Sequence, residues 1–526
     1  MAYFTLHAYD ADVFLSSFAG LRQAEEMASD LRYALEAENV ETVRGTLQPM
    51  ADPVILDYEF GSRIETLAKF HRRYYTGSGS KDWLVVASGG NLYYKQDGNN
   101  SFVQLGFPSG VNAWQSNVWS YATYEINPAG APSPVDVMLM SNAQDGMIII
   151  KPPYTATVSN PDWKVDIVDT RADPTTGSVG DGPKFGIIER YAERIWGCGV
   201  PDEPDTLYYS RPYDPENWTD AQQNWSTPGQ DEEQPEDIAG DIRQPSWDGD
   251  SFTGLKSFGS QLIAFKKHRV WRILGTDPGE YTFKEQFGGG TAYPNTVAIE
   301  TERMFLLEND GLSVYDGLSV SPFKRPYIEK TWKTAAKSYF DQACAAIYKN
   351  KYYLAFPTGN STVNNTLIVY NLEEDTFLLY TDVYIETMTP TEDYLYATSS
   401  TLPGKIMTIQ YDSWEIGDCS NKNTKWATPW IDFSRKSVAK GGYEIYFNPE
   451  VKGAPVTFRF SIQTEKKTKS KNVTCPVTPF SAKQKRVRFG GTGRKFRLII
   501  ETTTHTAQST WRLVGGIQMV VEIDPD

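Results

Sequence analysis

The side chains that could carry chemistry in this chain are few and widely spaced. Its four histidines, His7, His71, His268 and His505, fall in no HxxxH or HExxH arrangement, so spacing specifies neither a helical zinc pair nor a local general base. The four cysteines, Cys198, Cys344, Cys419 and Cys475, lack CxxC spacing, which predicts free buried thiols rather than a disulfide framework or a zinc site. No G-x-S-x-G elbow is present, and Gly77-Ser-Gly-Ser-Lys81 and Phe287-Gly-Gly-Gly290 lack the strand-loop-helix context of a phosphate cradle. These glycines read as turns. No catalytic, cofactor-binding or metal-ligating residue is assigned, and no cofactor is expected.

Carboxylates need separate treatment, because two acids facing each other across a sugar can hydrolyse it. Asp248, Asp250, Asp310, Asp316 and the cluster at 231–237 are the candidates. Asn309-Asp310-Gly311 and Asp316-Gly317 have the composition of hairpin turns, and the Ser-x-Asp-x-Gly-x-x-Trp box of sialidase-type propellers is absent. Asp248-Gly-Asp250 is not followed by the further oxygen ligands of a calcium loop. Aromatics make up 13% of the chain, including Tyr93-Tyr94, Tyr208-Tyr209, Tyr352-Tyr353 and 14 tryptophans. They could stack on sugars or bases, but their interleaving with strand positions points to packed cores.

Charge is distributed unevenly. From Asn421 onward there are 19 Lys+Arg against 8 Asp+Glu, while the remainder has 32 against 58, within a net charge of -15. A basic C-terminal part on an acidic body can orient a subunit toward a charged partner or order copies of one chain. The basic residues concentrate at Lys466-Lys-Thr-Lys-Ser-Lys471 and in the candidate contact set Lys483, Lys485, Arg486, Arg488, Arg494 and Lys495. Strand alternation puts Lys483, Lys485, Val487 and Phe489 on one face, with Gln484, Arg486 and Arg488 on the other. Contact with an acidic neighbour is as good a reading as contact with nucleic acid. The complementary candidate is an acidic loop containing Asp231, Glu232, Glu233, Glu236 and Asp237.

The elements that position these residues are mostly strands. Between about 64 and 412, apolar strand pairs recur around tight turns, as at 83–98 with its Gly-Gly-Asn turn, 136–150, 185–210, 253–273, 297–317, 345–372 and 394–411. Six or seven such units, at an irregular spacing of about 35 to 60 residues, describe an irregular six- or seven-bladed β-propeller. Long interruptions fall at about 210–250 and 324–342, the second with helical character around Lys330 to Tyr339. Residues 1–60 form an extended arm with a short helix over Ala28 to Asn39, capped by Ser29 or Asp30, and a strand-turn-strand at 39–49. Residues 61–418 make the propeller. Period-two alternation resumes in 419–526, a basic β-sandwich. The fold class is all-β. No secretory leader is expected, since the first ten residues lack a basic start and reach Asp10. No apolar run approaches the roughly 20 residues of a membrane-spanning helix.

In this order, the segments resemble the tail hub or nozzle proteins of tailed bacteriophages, including the packaged-DNA stabilisation proteins of short-tailed phages. Phe18-Ala-Gly-Leu21 stands where the family has a Phe-Gly-Gly-Leu-like arm, with Ala19 in place of the first Gly. Glu38-Asn-Val-Glu-Thr-Val-Arg-Gly-Thr-Leu-Gln-Pro49 is similar to its Asn-Val segment followed by Gly-x-Leu. Leu207-Tyr-Tyr-Ser-Arg-Pro-Tyr-Asp-Pro-Glu-Asn-Trp218 follows, then Asp250-Ser-Phe-Thr-Gly-Leu-Lys-Ser-Phe-Gly-Ser-Gln-Leu-Ile-Ala-Phe-Lys266. Val270-Trp-Arg-Ile-Leu-Gly275 and Phe305-Leu-Leu-Glu-Asn-Asp-Gly-Leu-Ser-Val-Tyr-Asp-Gly317 complete the series.

The resemblance implies a non-enzymatic virion protein, assembled in the host cytoplasm into the phage tail. Copies would form a ring, usually a homohexamer, below the portal and adaptor, and contact tail fibre or spike proteins. Its lumen would retain double-stranded DNA and conduct it at ejection without sequence-specific binding. A prophage-derived or gene-transfer particle would use the same physics. The alternative reading is a carbohydrate-binding or glycan-hydrolysing propeller used for host-surface recognition.

Overall fold

The computed structural model describes residues 10–15, 17–23, 30–73, 81–127, 134–153, 163–168, 183–218, 239–243, 250–286, 289–417, 419, 421–432, 440–478, 483–504 and 509–523. Seven four-stranded antiparallel units follow one another in chain order, spanning 64–104, 120–167, 187–243, 252–286, 298–322, 344–381 and 388–409. The first strands of successive blades lie beside one another, except that the first strand of blade 4 meets the turn Pro294–Thr296 leading into blade 5, and that of the seventh returns to that of the first. The protein is thus a seven-bladed β-propeller. Two-residue turns with positive φ at both positions set the hairpin registers, as at Gly89 (59°) and Gly90 (74°).

The seventh blade supplies only three strands of its own. Its fourth is β7 (Val54–Glu59), which pairs through Val54, Ile55 and Glu59 with Thr408, Met407 and Lys405. The ring is therefore closed by N-terminal chain. The rest of the arm contributes β1 (Asp10–Leu15), β2 (Gly20–Leu21), β3 (Tyr33–Ala34), β4 (Glu36–Glu38), β5 (Val40–Val43) and β6 (Thr46–Pro49). β2 adds to the outer strand of blade 6, pairing Leu21 with Phe377, and carries β3 parallel to it.

The C-terminal strands form a two-sheet sandwich, and arm strands complete both sheets. One sheet runs in the order Lys485–Gly493, Lys440–Lys452, Thr510–Ile523, β6, β5, with β1 also paired to Thr510–Ile523. The other runs Thr468–Cys475, Val456–Thr464, Phe496–Thr504, Lys425–Ala427, β4. The sandwich therefore extends beyond residues 419–526 to include chain from the first fifty. One continuous core joins sandwich, arm and blades 5 and 6, through side chains such as Phe458, Trp511, Phe18, Phe377 and Tyr352. Phe18 is 2% exposed and meets Trp426 edge-on at 5.2 Å.

Two local expectations are corrected. The helix expected over Ala28 to Asn39 is not formed: β3 and β4 occupy its described part, because pairing with β2 and with Lys425–Ala427 overrides local helix propensity. Asp30 does cap, but it caps a turn, accepting the Arg32 N–H at 3.0 Å. Within the long connection at 210–250, Gly240–Arg243 is the outer strand of blade 3. Around 330–339 the expected helical character is present, as a short α-helix, Glu329–Lys333, and a 3-10 turn, Lys337–Gln342. The strand-turn-strand at 39–49 is present as β5 and β6, with Arg44 and Gly45 at positive φ.

Gly20 sits at φ 108°, where an added Cβ would lie 2.8 Å from the Phe377 carbonyl oxygen. The second Gly of the arm motif is thus required by close backbone approach and by its dihedral, while Ala19 lies at a position that tolerates a side chain. Gly20→Ala should cost about 1–3 kcal/mol in urea unfolding, against about 1 kcal/mol or less for Ala19→Gly.

Where arm, propeller exit and sandwich meet, the buried Glu41 carboxylate accepts N–H bonds from Ala51 (2.9 Å), Gln48 (3.2 Å), Asp412 (2.9 Å) and Ser413 (3.3 Å). Burial pushes its pKa up to about 7 despite these four donors. Glu41→Ala would leave the donors unanswered in a buried site and should destabilise by about 3 kcal/mol or more. Glu41→Gln keeps one acceptor oxygen and should cost less by the same urea titration.

Candidate functional site

Carboxylates on and beside the innermost strands of the propeller are engaged structurally. Glu386, preceding the inner strand of blade 7, pairs with Arg63 of blade 1 at 2.9 Å. Arg73 links blade 1 to Asp136 of blade 2 at 2.8 Å and also pairs with Glu125. Glu189 of blade 3 accepts the Ser257 N–H of blade 4 at 3.2 Å and faces Lys256 at 3.7 Å; burial raises its pKa. Each of these acids is therefore used as a staple between neighbouring blades. Two small cavities at the sandwich each have room for about one water molecule.

The other acids singled out for chemistry that lie among the described residues serve turns and backbone contacts. Asp316 accepts the Leu318 and Ser319 N–H groups at 2.9 and 2.8 Å, and these bonds hold its carboxyl below the usual range. Asp310 is in the hairpin turn before Gly311, and Asp250 accepts the His268 N–H at 3.2 Å. Asp248 and the loop residues Asp231, Glu232, Glu233, Glu236 and Asp237 lie outside the described residues, as do His7 and His505. All four cysteines are buried and none is in a disulfide. Burial pushes the Cys344 thiol up to about 12 and Cys475 to about 11, so neither is a thiolate nucleophile at neutral pH. Among the described residues no cluster of three His, Cys, Asp or Glu could hold a metal, and no helix is long and apolar enough to cross a membrane. Tyr352, Tyr353 and Tyr209 are buried in blade cores.

His71 belongs to the closure of the ring. Its Nδ1 lies 2.6 Å from Asp82, which also bonds Lys69 (3.1 Å) and the Glu392 N–H of blade 7 (2.7 Å). Burial alone would raise the Asp82 carboxyl, but His71, Lys69 and the Glu392 N–H outweigh it and hold its pKa down. A depressed value gives stabilisation that is present above about pH 4, the range of an unfolded aspartate, and lost as pH falls through the folded value. Asp82→Asn should lower the urea midpoint at pH 7, with the gap to wild type closing below about pH 4; a gap independent of pH would assign the loss to packing.

The remaining candidate is the basic edge of the sandwich. The strands Thr468–Cys475 and Lys485–Gly493 are outermost in their two sheets and lie next to each other. On the second, Arg486 and Arg488 are exposed while Val487 and Phe489 are buried, as alternation requires. Lys485 shares the inner side and is half-buried; Lys483 is exposed before the strand. Both arginines converge on Glu444 of the adjacent strand, Arg488 at 2.6 Å, and Arg486 holds that carboxyl below the usual range. At the far end of the strand, Arg494 and Lys495 donate backbone N–H bonds to Glu465, and the Lys495 ammonium lies 4.8 Å from the Trp430 ring centre. The structure thus brings the six predicted contact residues onto one strand and the two segments flanking it. Sequence reasoning missed Glu444, which lies about forty residues away, and the inward aim of Lys469 and Lys471. The latter was recoverable only once their cross-strand partners, Ile462 and Phe460, were known to be buried.

No protein-family model matches the chain, and no curated protein does. Similar solved structures include a chain of the mitotic checkpoint complex, at 9% identity and TM-score 0.34, covering 63% of this chain and 87% of that one. The Pan2 WD40 domain of Neurospora crassa matches at 9% identity and TM-score 0.34, covering 67% of this chain and 90% of that one. At this level of similarity the comparisons carry no argument about activity or partners. The protein is a propeller-sandwich built around a shared N-terminal arm.

Proposed function

We propose that this protein is a structural component of a bacteriophage tail, a hub or nozzle subunit whose copies close into a ring beneath the portal and adaptor and bound the DNA channel. The observation that carries this reading is the way the arm joins the two bodies. It closes an acidic propeller at one end and completes the sandwich at the other, leaving the basic edge facing outward. A unit with unlike ends favours head-to-tail contact, and head-to-tail contacts generate rings when the rotation closes. A net-negative body suits a conduit for duplex DNA, since every lumen cation would add counterion-release affinity and slow passage. The chain itself needs no cofactor in this role. Its partners would be its own copies, the adaptor or portal, and fibres or spikes.

No feature of the described residues specifically favours the glycan-directed alternative: Glu386, Asp136 and Glu189, on and beside the inner strands, are bound to cations or N–H groups of neighbouring blades. The test is assembly. Replacing Lys485, Arg486 and Arg488 together by Glu should abolish ring formation in sedimentation velocity while leaving the unfolding transition of the subunit intact. Normal rings from that variant would remove the sandwich from the subunit contact.

A further inference from the structure

The seam between Thr468–Cys475 and Lys485–Gly493 has an unusual lining. Cross-strand partners in a sheet share a face. Lys469 and Lys471 oppose Ile462 and Phe460, which point into the core, and Lys485 opposes the buried Phe447. These three lysines therefore sit on the inner sides of two edge strands. Lys471 reaches to 5.8 Å of the Phe489 ring centre, and Lys469 borders the small cleft walled by Gly490, Gly491 and Thr492. None has a carboxylate partner within ion-pair distance among the described residues, in contrast to Arg486 and Arg488. Inward lysines on edge strands deter uncontrolled sheet pairing, and the same unneutralised charge beside two open backbone edges suits an extended acidic strand.

The position of the seam bears on the source of such a strand. In each sheet the arm strands β4 and β5 lie at the opposite edge, four strand spacings or roughly 19 Å away. That edge packs on blade 6. The seam thus faces away from the chain's own propeller. The densest run of carboxylates in the sequence is residues 230–237, Gln-Asp-Glu-Glu-Gln-Pro-Glu-Asp, in the connection within blade 3. Blade 3 is three places around the ring from blade 6.

We propose that the lysine-lined seam, with its two open strand edges, is a docking surface for the acidic 230–237 segment of a second copy of this chain, forming a head-to-tail contact. The inference deepens the ring reading by naming the two surfaces that meet, and rests on it only for closure of the ring. It is tested on the full-length chain by sedimentation across a salt series. Lys469→Glu, Lys471→Glu and Lys485→Glu together, or Asp231→Lys, Glu232→Lys and Glu233→Lys together, should each weaken self-association by about tenfold or more. Combining the two sets should restore it, because the charges are exchanged. Should the Glu set disturb folding by circular dichroism, Lys→Gln at the same positions should give a smaller loss in the same direction. Wild-type association by the seam variant, or a combined variant no tighter than either set alone, would overturn the proposal. Rings from the seam variant would leave the hub reading standing without this contact. Conversely, charge-exchange rescue in a particle whose tail axis lacks the chain would leave this contact standing without the hub.

Discussion

The constraint on which the structure depends is that one N-terminal segment must serve as strand in four sheets at once. Residues 10–59 extend both sheets of the sandwich, add an outer layer to blade 6 and supply the last strand of blade 7. Neither body is complete without it. The pairings are long-range: Val54 meets Thr408, and Glu41 takes N–H bonds from residues 412 and 413. Such non-local contacts incur their loop-closure cost before they contribute stability. Glu41 concentrates the problem in one side chain, satisfying donors from the arm and from the propeller exit in a site closed to water. Around it, Ser413 donates its hydroxyl to the Pro49 carbonyl at 2.7 Å and Tyr411 to that of Thr42 at 2.9 Å. These bonds fix the direction in which the sandwich leaves the propeller.

What the sequence revealed follows from the range of the interactions involved. Strand pairs joined by Gly89-Gly90 or by Arg44-Gly45 are written locally, in alternation and in residues able to take positive φ. Blades were legible for that reason, although their number was not: the short first strand of blade 7, Met388–Pro390, has little alternation to read. Tyr33 to Glu38 carries a helix-like pattern, and its strand state comes from partners at 20–21 and 425–427 that no local window contains. The same limit applied to the sandwich: its C-terminal strands begin at Lys425–Ala427, just after the charge reversal near 420, while those borrowed from the arm leave no trace in that stretch.

The candidate surface divides in the same way. Alternation separated Lys485, Val487 and Phe489 from Arg486 and Arg488 without saying which face is covered; the sandwich buries Val487 and Phe489 and leaves the two arginines exposed. It could not give Glu444, which takes up both arginines, nor show that the unpaired charge belongs to Lys469, Lys471 and Lys485 at the seam. The acids near the propeller axis illustrate the converse. Their number invites a catalytic reading, and their geometry shows them holding adjacent blades together, which is a common use of charge in a ring whose units contact only their neighbours.

The central claim is that this unit has unlike ends that meet in a closed ring on the tail axis. Electron microscopy of the purified chain beside intact particles tests it most directly. The account predicts a closed ring, six-fold in the hub reading, with an open lumen wide enough for duplex DNA, the basic sandwich edge of each copy against its neighbour, and the ring coaxial with the tail. A monomer, or a trimer carried at the tail periphery, would contradict it.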